Sequence, residues 1–232
     1  MKSRNVLVLA FASAALPFAA LAGGGTVIKL DGRASIDRKG NPVDVSESTP
    51  IFSGDVLSVS DKASAQLRFE DDSVFVVPGA ARFRVDTFSL PTLTSGGKAI
   101  YTLLDGGVRT ITGSVSKGDK DQYELRTEEA TVTVQGSAYS ALRCTGACAK
   151  KYKPGLYVKG ESGTITVATN AGSLKVHRGQ VVIAPNKSSI PVHVKVSPFN
   201  DPIVAATFKI DVELEAEVHP PRIEQEPAAS PS

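Results

Sequence analysis

The sequence of 232 residues has few of the side chains that bind metal ions or stack on sugars, with no tryptophan, three histidines and two cysteines. A structural zinc site needs about four ligands, usually Cys and His. His177, His193 and His219 are not spaced like the ligands of a zinc finger or ribbon. We therefore expect no metal site and no cofactor.

Sequence motifs typical of enzymes are also lacking. The chain has no Gly-x-Ser-x-Gly elbow, no phosphate-binding loop and no His-Glu-x-x-His motif. Two adjacent acid pairs, Asp71-Asp72 and Glu128-Glu129, are present. Because neighbouring residues of a strand point to opposite faces of a sheet, neither pair is expected to converge on one substrate. We predict that the protein is not an enzyme.

The N-terminus has the three-part pattern of a secretory signal peptide. Lys2 and Arg4 precede uncharged residues 6–22, and small residues stand at the positions that signal peptidase recognises. We predict a signal peptide over 1–22, cleaved between Ala22 and Gly23; the alternative is a retained membrane anchor. No later stretch is long and apolar enough to span a bilayer. The mature protein is therefore expected in the periplasm or outside the cell.

Neither sign of charge is in excess once the leader is removed. The leader contains two of the 26 Lys and Arg residues and none of the 24 Asp and Glu residues. A balanced chain argues against binding to nucleic acid and against electrostatic docking to anionic lipid.

Both cysteines lie in one short stretch, where Cys144 and Cys148 are separated by three residues. They could form a disulfide across a turn, a redox site or part of a metal site. Nearby cysteines in an oxidising compartment usually pair, and Gly146 can take the positive φ of a tight turn. A redox dithiol is usually spaced Cys-x-x-Cys. The pattern therefore favours a structural disulfide.

Most of what the sequence does contain is short alternating segments separated by glycine turns. Such alternation predicts β-strands, and no window shows a convincing helical stripe. We predict an all-β domain of many short antiparallel strands over 23–198, either sandwich-like or jelly-roll-like or a short solenoid. The predicted strands are Ala63–Phe69, Val74–Val77, Arg82–Phe88, Ile100–Leu104, Val108–Thr112, Tyr123–Thr127, Ala130–Val134, Ala138–Cys144, Leu156–Lys159, Thr164–Ala168, Leu174–His177 and Val181–Ala184.

The C-terminal segment 199–218 ends in the longest alternation of the chain, TFKIDVELEAEV at 207–218. One side carries Phe208, Ile210, Val212 and Leu214, and the other side is mostly acidic. This pattern predicts either a last strand on the domain's own sheet or an edge strand to which a partner adds. Residues 219–232 are rich in proline and poor in apolar residues, which predicts a disordered tail.

A basic loop follows the cysteines. Lys150, Lys151 and Lys153 surround Tyr152 on a projection that the disulfide would brace. A basic loop with an aromatic tip suits an acidic protein surface or a glycan. These four residues are therefore a candidate partner-binding loop, although a solvated loop with lysines would have the same composition.

Four segments together resemble the FecR domain family of bacterial extracytoplasmic β-modules. They are SGDVLSVSDKASAQLRFEDDSVFVVPGAARFRV (53–85), YTLLDGGVRTITG (101–113), YELRTEEATVTVQGSAYSAL (123–142) and GLYVKGESGTITVATNAGSLKVHRGQ (155–180). The chain departs from the family pattern at three turns: Thr127-Glu128 stands for Thr-Pro, Gly136-Ser137 for Gly-Thr, and Asp72 for the Gly of Asp-Gly-Ser.

The resemblance implies an extracytoplasmic protein-interaction module. The family's namesakes relay signals to cytoplasmic sigma factors through a cytoplasmic domain and a membrane helix. Because this chain passes from a leader directly to strands, we expect it to share the module and not the circuit.

Two functions agree with these features. The first is a protein-interaction or scaffold module of the bacterial envelope, bound to envelope proteins whose identity the sequence does not indicate. The alternative is a domain that binds glycan or cell wall. Such domains usually stack sugars on exposed aromatic residues, and the supply here is Tyr123, Tyr139, Tyr152 and Tyr157. We therefore favour the first function.

Overall fold

A computed structural model describes residues 24–119 and 121–209 of the chain. Sixteen strands of this part form one hydrogen-bonded sheet. The strands are β1 (Gly25–Asp31), β2 (Ala34–Arg38), β3 (Asn41–Asp44), β4 (Pro50–Ile51), β5 (Val56–Val59), β6 (Ser64–Phe69), β7 (Val74–Pro78), β8 (Arg82–Ser89), β9 (Lys98–Asp105), β10 (Gly107–Ile111), β11 (Tyr123–Arg126), β12 (Thr131–Cys144), β13 (Gly155–Thr169), β14 (Gly172–Val176), β15 (Val181–Ala184) and β16 (Val192–Val194). One α-helix, α1 (Pro202–Thr207), and 3-10 turns at Ser114–Lys117, Cys148–Lys150 and Pro198–Asn200 complete the described elements.

The predicted all-β fold is confirmed, because each strand predicted within 23–198 overlaps a strand of the structure. Strand β6 shows why the alternating pattern predicts strands correctly. Ala65, Leu67 and Phe69 of this strand point into the core and are buried, while Ser64 and Arg68 on the other face point away and are half-buried. Alternation with period two therefore sorts the side chains between the two faces of the sheet.

The main path of the sheet runs in the order β3-β2-β5-β8-β9-β11-β12-β10-β7-β6-β1-β4, and β13 to β16 branch from β12. Neighbouring strands are antiparallel except for β9 and β11, which pair in parallel. The prediction of antiparallel strands therefore has one exception in the described sheet. A parallel pair requires a crossover connection, and here β10 and the 3-10 turn Ser114–Lys117 lie between the two strands.

The hairpin of β12 and β13 joins segments that the sequence predicts as separate strands. The predicted strands 130–134 and 138–144 are one strand, β12, and the predicted strands 156–159 and 164–168 are one strand, β13. The register between β12 and β13 shifts between Gln135 and Tyr139, where Gly136 has a φ of 56°. Such a bulge bends a strand. β12 pairs with β11 before the bulge and with β10 after it.

The two arms of the bent sheet face each other across one main core. The rings of Phe75 on β7 and Tyr101 on β9 are 4.8 Å apart, although three strands separate β7 from β9 in the sheet. Phe83 on β8 lies 5.3 Å from each of these rings. Contacts between strands so far apart in the sheet require it to curl over its own inner face.

The opposite, outer face of β10, β12, β13 and β15 carries a smaller apolar group. The buried residues of this secondary cluster are Cys144, Tyr157, Ile183, Phe199 and Phe208. Phe199 and Phe208 come from residues 198–208, which follow the last described strand. The secondary cluster therefore joins the C-terminal part of the described chain to the outside of the sheet.

Candidate partner-binding surface

The predicted disulfide between Cys144 and Cys148 is present, with Cα atoms 5.1 Å apart. Cys144 ends β12 and is fully buried, and Cys148 begins a 3-10 turn. Gly146 between them has a φ of 51°, the left-handed conformation that the turn was expected to need. The disulfide attaches the loop that follows it to the secondary cluster.

The candidate loop differs in one respect from its prediction. Lys150, Lys151 and Lys153 are exposed, whereas Tyr152 is half-buried and packs against the secondary cluster. The tyrosine therefore does not form an exposed aromatic tip. Apolar neighbours at the cluster, which the sequence does not place beside the loop, draw the ring inward.

One lysine of the loop is attached to the chain segment that covers the cluster. Lys151 Nζ lies 2.7 Å from Asp201 Oδ2 and 5.4 Å from the centre of the Tyr152 ring. The hydrogen bond to Asp201 raises the pKa of Lys151, and the same bond lowers the pKa of Asp201. Because Lys151 is exposed to solvent, the ion pair positions the loop and adds little stability.

The segment after the domain begins as a helix and not as a strand. Asp201 caps α1 by accepting a hydrogen bond from the Ile203 N–H, and Pro202 occupies the first helical position. The predicted strand is therefore wrong at Thr207, which ends the helix, and at Phe208, which follows it. Phe208 is buried and its ring lies 5.5 Å from Phe199. Local capping and this ring contact outweigh the alternation at these two positions.

A cleft of about 960 Å³ lies beside the cluster. Leu142, Val204 and Phe208 supply apolar lining, and Lys62, Lys151 and other charged residues are also present. The cleft continues past α1 to the turn at Pro78-Gly79 and to the outer side of β6. Apolar and charged side chains together line the cleft, a mixed composition that is common at protein-binding surfaces.

The acids Glu128 and Glu129, unlike the prediction, point to one group. Both carboxylates bind the guanidinium of Arg143, each at 2.8 Å. Arg143 also donates to the Leu104 carbonyl. The hydrogen bond to Glu129 is the largest cause that holds the pKa of Arg143 above its ordinary value. The two acids and Arg143 therefore form a structural ion-pair group, and Arg143 also lines the cleft.

Most of the tyrosines are buried. Tyr123, Tyr139 and Tyr157 are at most 2% exposed, and the hydroxyls of Tyr123 and Tyr139 are 2.8 Å apart. Burial raises the pKa of both phenols above their usual range. Of the four tyrosines considered for stacking on sugars, the described structure leaves Tyr152 alone partly exposed.

A further surface feature was not predicted. Within the described sheet β16 pairs with β15 alone, and it continues an apolar alternation from Ile190 to Val196. Ile190, Val192 and Val196 are 61%, 47% and 74% exposed. His193 and Lys195 alternate with these residues and are also exposed. The signal is visible in the sequence IPVHVKV at 190–196.

The described residues contain neither a cluster of metal ligands nor a helix of membrane-spanning length. No group of three or more His, Cys, Asp or Glu side chains that could hold a metal ion occurs within 24–119 and 121–209. In the same ranges no helix is long and apolar enough to cross a membrane.

Several predicted features fall outside the described residues. These are the cleavage site at Ala22 and Gly23, the rest of the signal peptide, the positions Ile210, Val212 and Leu214 of the predicted C-terminal strand, and the tail 219–232. They stay predictions.

A comparison with protein-family models finds no match, and a comparison with curated proteins finds none either. Among solved structures, two crystal structures of a proposed anti-sigma factor from Parabacteroides distasonis are similar to this chain. Each has 15% sequence identity and a TM-score of 0.46, over 62% of this chain and 61% of the other. The chain therefore spans less than two thirds of the length of these structures.

Proposed function

We propose that this protein is a non-enzymatic interaction module of the bacterial envelope, of the FecR type, that binds an extended segment of a partner protein at β16. The partner is an envelope protein. The module acts in the periplasm or outside the cell, after removal of residues 1–22.

The exposed edge of β16 is the observation that carries the proposal. An edge strand presents unpaired N–H and C=O groups to which another strand can add. Natural edge strands are usually protected by charge, yet Val192 on β16 and Val196 shortly after it expose apolar side chains. His193 on β16 and Lys195, directly after the strand, are polar residues exposed beside these valines. This combination fits a partner segment in which apolar and acidic residues alternate.

The secondary cluster holds strand β16 in place. β15 and β16 contribute Ile183 and Val194 to the secondary cluster, which the disulfide and α1 also contact. A rigid binding strand loses less conformational entropy when a partner adds to it. The cluster therefore supports β16 as a preorganised template.

The disulfide supports the proposed location outside the cytoplasm, and the sequence motifs support the proposed FecR type. Disulfides persist in oxidising compartments and are rare in the cytosol. The order of the four segments 53–85, 101–113, 123–142 and 155–180 is that of the FecR pattern. Purification from a periplasmic fraction, followed by N-terminal sequencing, is expected to give a chain that begins at Gly23. Recovery of the intact N-terminus in the membrane fraction would contradict this location.

Photo-crosslinking in living cells tests the binding strand. A photo-reactive residue at Val192 or Val196 is expected to capture one discrete envelope protein, and a probe at Lys151 tests the disulfide loop in parallel. Leu93, which is fully exposed on a different loop, is the matched control position. The substitutions Val192→Lys and Val196→Lys together are expected to reduce binding of the captured protein at least tenfold, while Leu93→Lys leaves it unchanged.

The same experiment can overturn the proposal. Equal capture at Leu93, or none at β16, would remove the edge as a binding site. Adducts that contain only cell-wall fragments would support the glycan-binding alternative. Capture at Lys151 alone would move the site from the edge to the disulfide loop.

A further inference from the structure

Strand β16 continues rows of side chains that run across the sheet. Residues that are partners on neighbouring strands lie side by side on the same face of the sheet. The first row crosses β12, β13, β15 and β16 and consists of Leu142, Tyr157, Ile183 and Val192. Tyr157 and Ile183 belong to the secondary cluster, and Leu142 packs against it. Val192 therefore ends an apolar row on the outer face of the sheet.

The neighbouring row lies on the inner face of the same strands. It consists of Ala141, Val158, Val182 and His193. The three apolar residues belong to the main core and are fully buried, whereas His193 is exposed. The apolar part of this row is therefore already enclosed, and a polar side chain stands at the edge.

The third row returns to the outer face and is apolar only near the edge. It consists of Ser140, Lys159, Val181 and Val194. Val181 and Val194 are half-buried against the secondary cluster, and Val192 in the first row is 47% exposed. The apolar surface of β16 that a partner strand can still bury therefore lies on the outer face.

A strand added to β16 would extend all three rows by one residue each. Because successive residues of a strand point to opposite faces, the two partner residues on the outer face are separated by one residue on the inner face. The outer residues would continue the rows that end at Val192 and Val194, and the residue between them would lie beside His193. A charged side chain opposite Val192 would lose water without gaining a polar partner in its row.

We propose that β16 selects its partner by the outer face: the bound segment places apolar side chains opposite Val192 and Val194 and a polar or acidic side chain between them, opposite His193. The position opposite Val192 is the more selective of the two, because its row stays apolar as far as Leu142, whereas the row of Val194 becomes polar at Lys159. This inference rests on the proposed binding at β16 and adds which side chains of the partner are recognised there.

Two blocked peptides of equal composition test the selection. In TTVEVTT both valines fall on one face of an added strand, and in TTVVETT they fall on opposite faces. We expect TTVEVTT to bind the chain 23–232 about fivefold more tightly, as measured by NMR titration of the β16 amides. Equal affinity, or a preference for TTVVETT, would overturn the inference and leave binding at β16 intact. If neither peptide at millimolar concentration shifts the β16 amides, both the inference and the binding strand are wrong.

Methyl contacts in the complex with TTVEVTT report the face directly. Nuclear Overhauser contacts are expected between the peptide valines and the methyl groups of Val192 and Val194. The peptide glutamate is expected beside the ring of His193. Contacts between the peptide valines and His193 would place the apolar side chains on the inner face and contradict the assigned orientation.

Two substitutions provide a matched pair for the selective position. Val192→Thr keeps the branched shape and replaces one methyl group with a hydroxyl, so the preference for TTVEVTT over TTVVETT is expected to fall to within twofold. Leu93→Thr, at a fully exposed position on a different loop, is expected to retain the fivefold preference. Amide spectra of both variants check that the sheet is retained. An undiminished preference in Val192→Thr would remove Val192 as the selective position.

Discussion

The main core and the secondary cluster are built from aromatic side chains in different ways. Phe75 in the main core contacts the rings of Phe69, Phe83 and Tyr101, all from different strands. The secondary cluster has one ring pair, Phe199 and Phe208, from a single short stretch. The main core is enclosed by the curled sheet, whereas the cluster lies on its outer face and is held by a disulfide and a capped helix.

Because the main core is enclosed and the secondary cluster is not, we expect core residues to maintain the fold and cluster residues to shape the surface. Removing a ring from the enclosed core leaves a cavity that the surrounding strands cannot close. Removing a contact from the secondary cluster is expected to loosen residues 144–154, 198–208 and the edge strand β16, whose Val194 packs against the cluster, and to leave the main core unchanged. Changes at the cluster should therefore alter binding while the domain stays folded.

The largest expected effect comes from Phe75→Ala in the main core. The substitution deletes a ring that three others contact and should lower the free energy of unfolding by about 3–5 kcal/mol. Denaturant unfolding followed by circular dichroism measures the loss. The matched change at the cluster, Phe208→Ala, is expected to cost less, because its surroundings can relax toward solvent. Equal costs would show that the cluster is as rigid as the core.

An intermediate effect is expected when both cysteines are replaced by alanine. Opening a loop this short should lower the free energy of unfolding by about 2 kcal/mol. Hydrogen exchange should become faster in 144–154 and 198–208 and stay unchanged in β6 to β9. Faster exchange throughout the sheet would contradict the separation of the two regions.

The smallest effect is expected from Asp201→Asn, which retains the helix cap and removes the ion pair with Lys151. The pKa of Asp201 is lowered in the folded state, so its stabilisation is present above the unfolded value of 3.8 and is lost as pH falls through the folded value. The pKa of Lys151 is raised, so stabilisation from this group is lost as pH rises above its ordinary 10.5.

The wild type should therefore melt slightly above Asp201→Asn at neutral pH, and the difference should disappear in strong acid and at high salt. Thermal melts at several pH values and salt concentrations measure this dependence. A difference that persists in acid would assign the effect to capping and not to charge.

The local pattern predicted the strands better than it predicted the surface. The alternation of β6 and β8 places their apolar residues inside, as expected, because each side chain needs only its own strand to determine its face. Tyr152 was predicted as an exposed tip and is half-buried, since the cluster against which it packs includes Ile183 and Phe199 from distant parts of the chain. Glu128 and Glu129 meet at Arg143 for a similar reason: their partner lies at the other end of β12.

Three properties of this protein follow from local sequence: the all-β fold, the side chains of most strands that lie inside, and the ability of Cys144 and Cys148 to close a turn. They can be predicted because period-two alternation and short-range turn geometry are local properties. Which strands are neighbours depends on the folded arrangement of the whole sheet. The bulge at Gly136 turns the sheet, β16 becomes an edge, and Val192 becomes the exposed end of an apolar row. These outcomes depend on the packing of strands far apart in the chain, which no local pattern specifies.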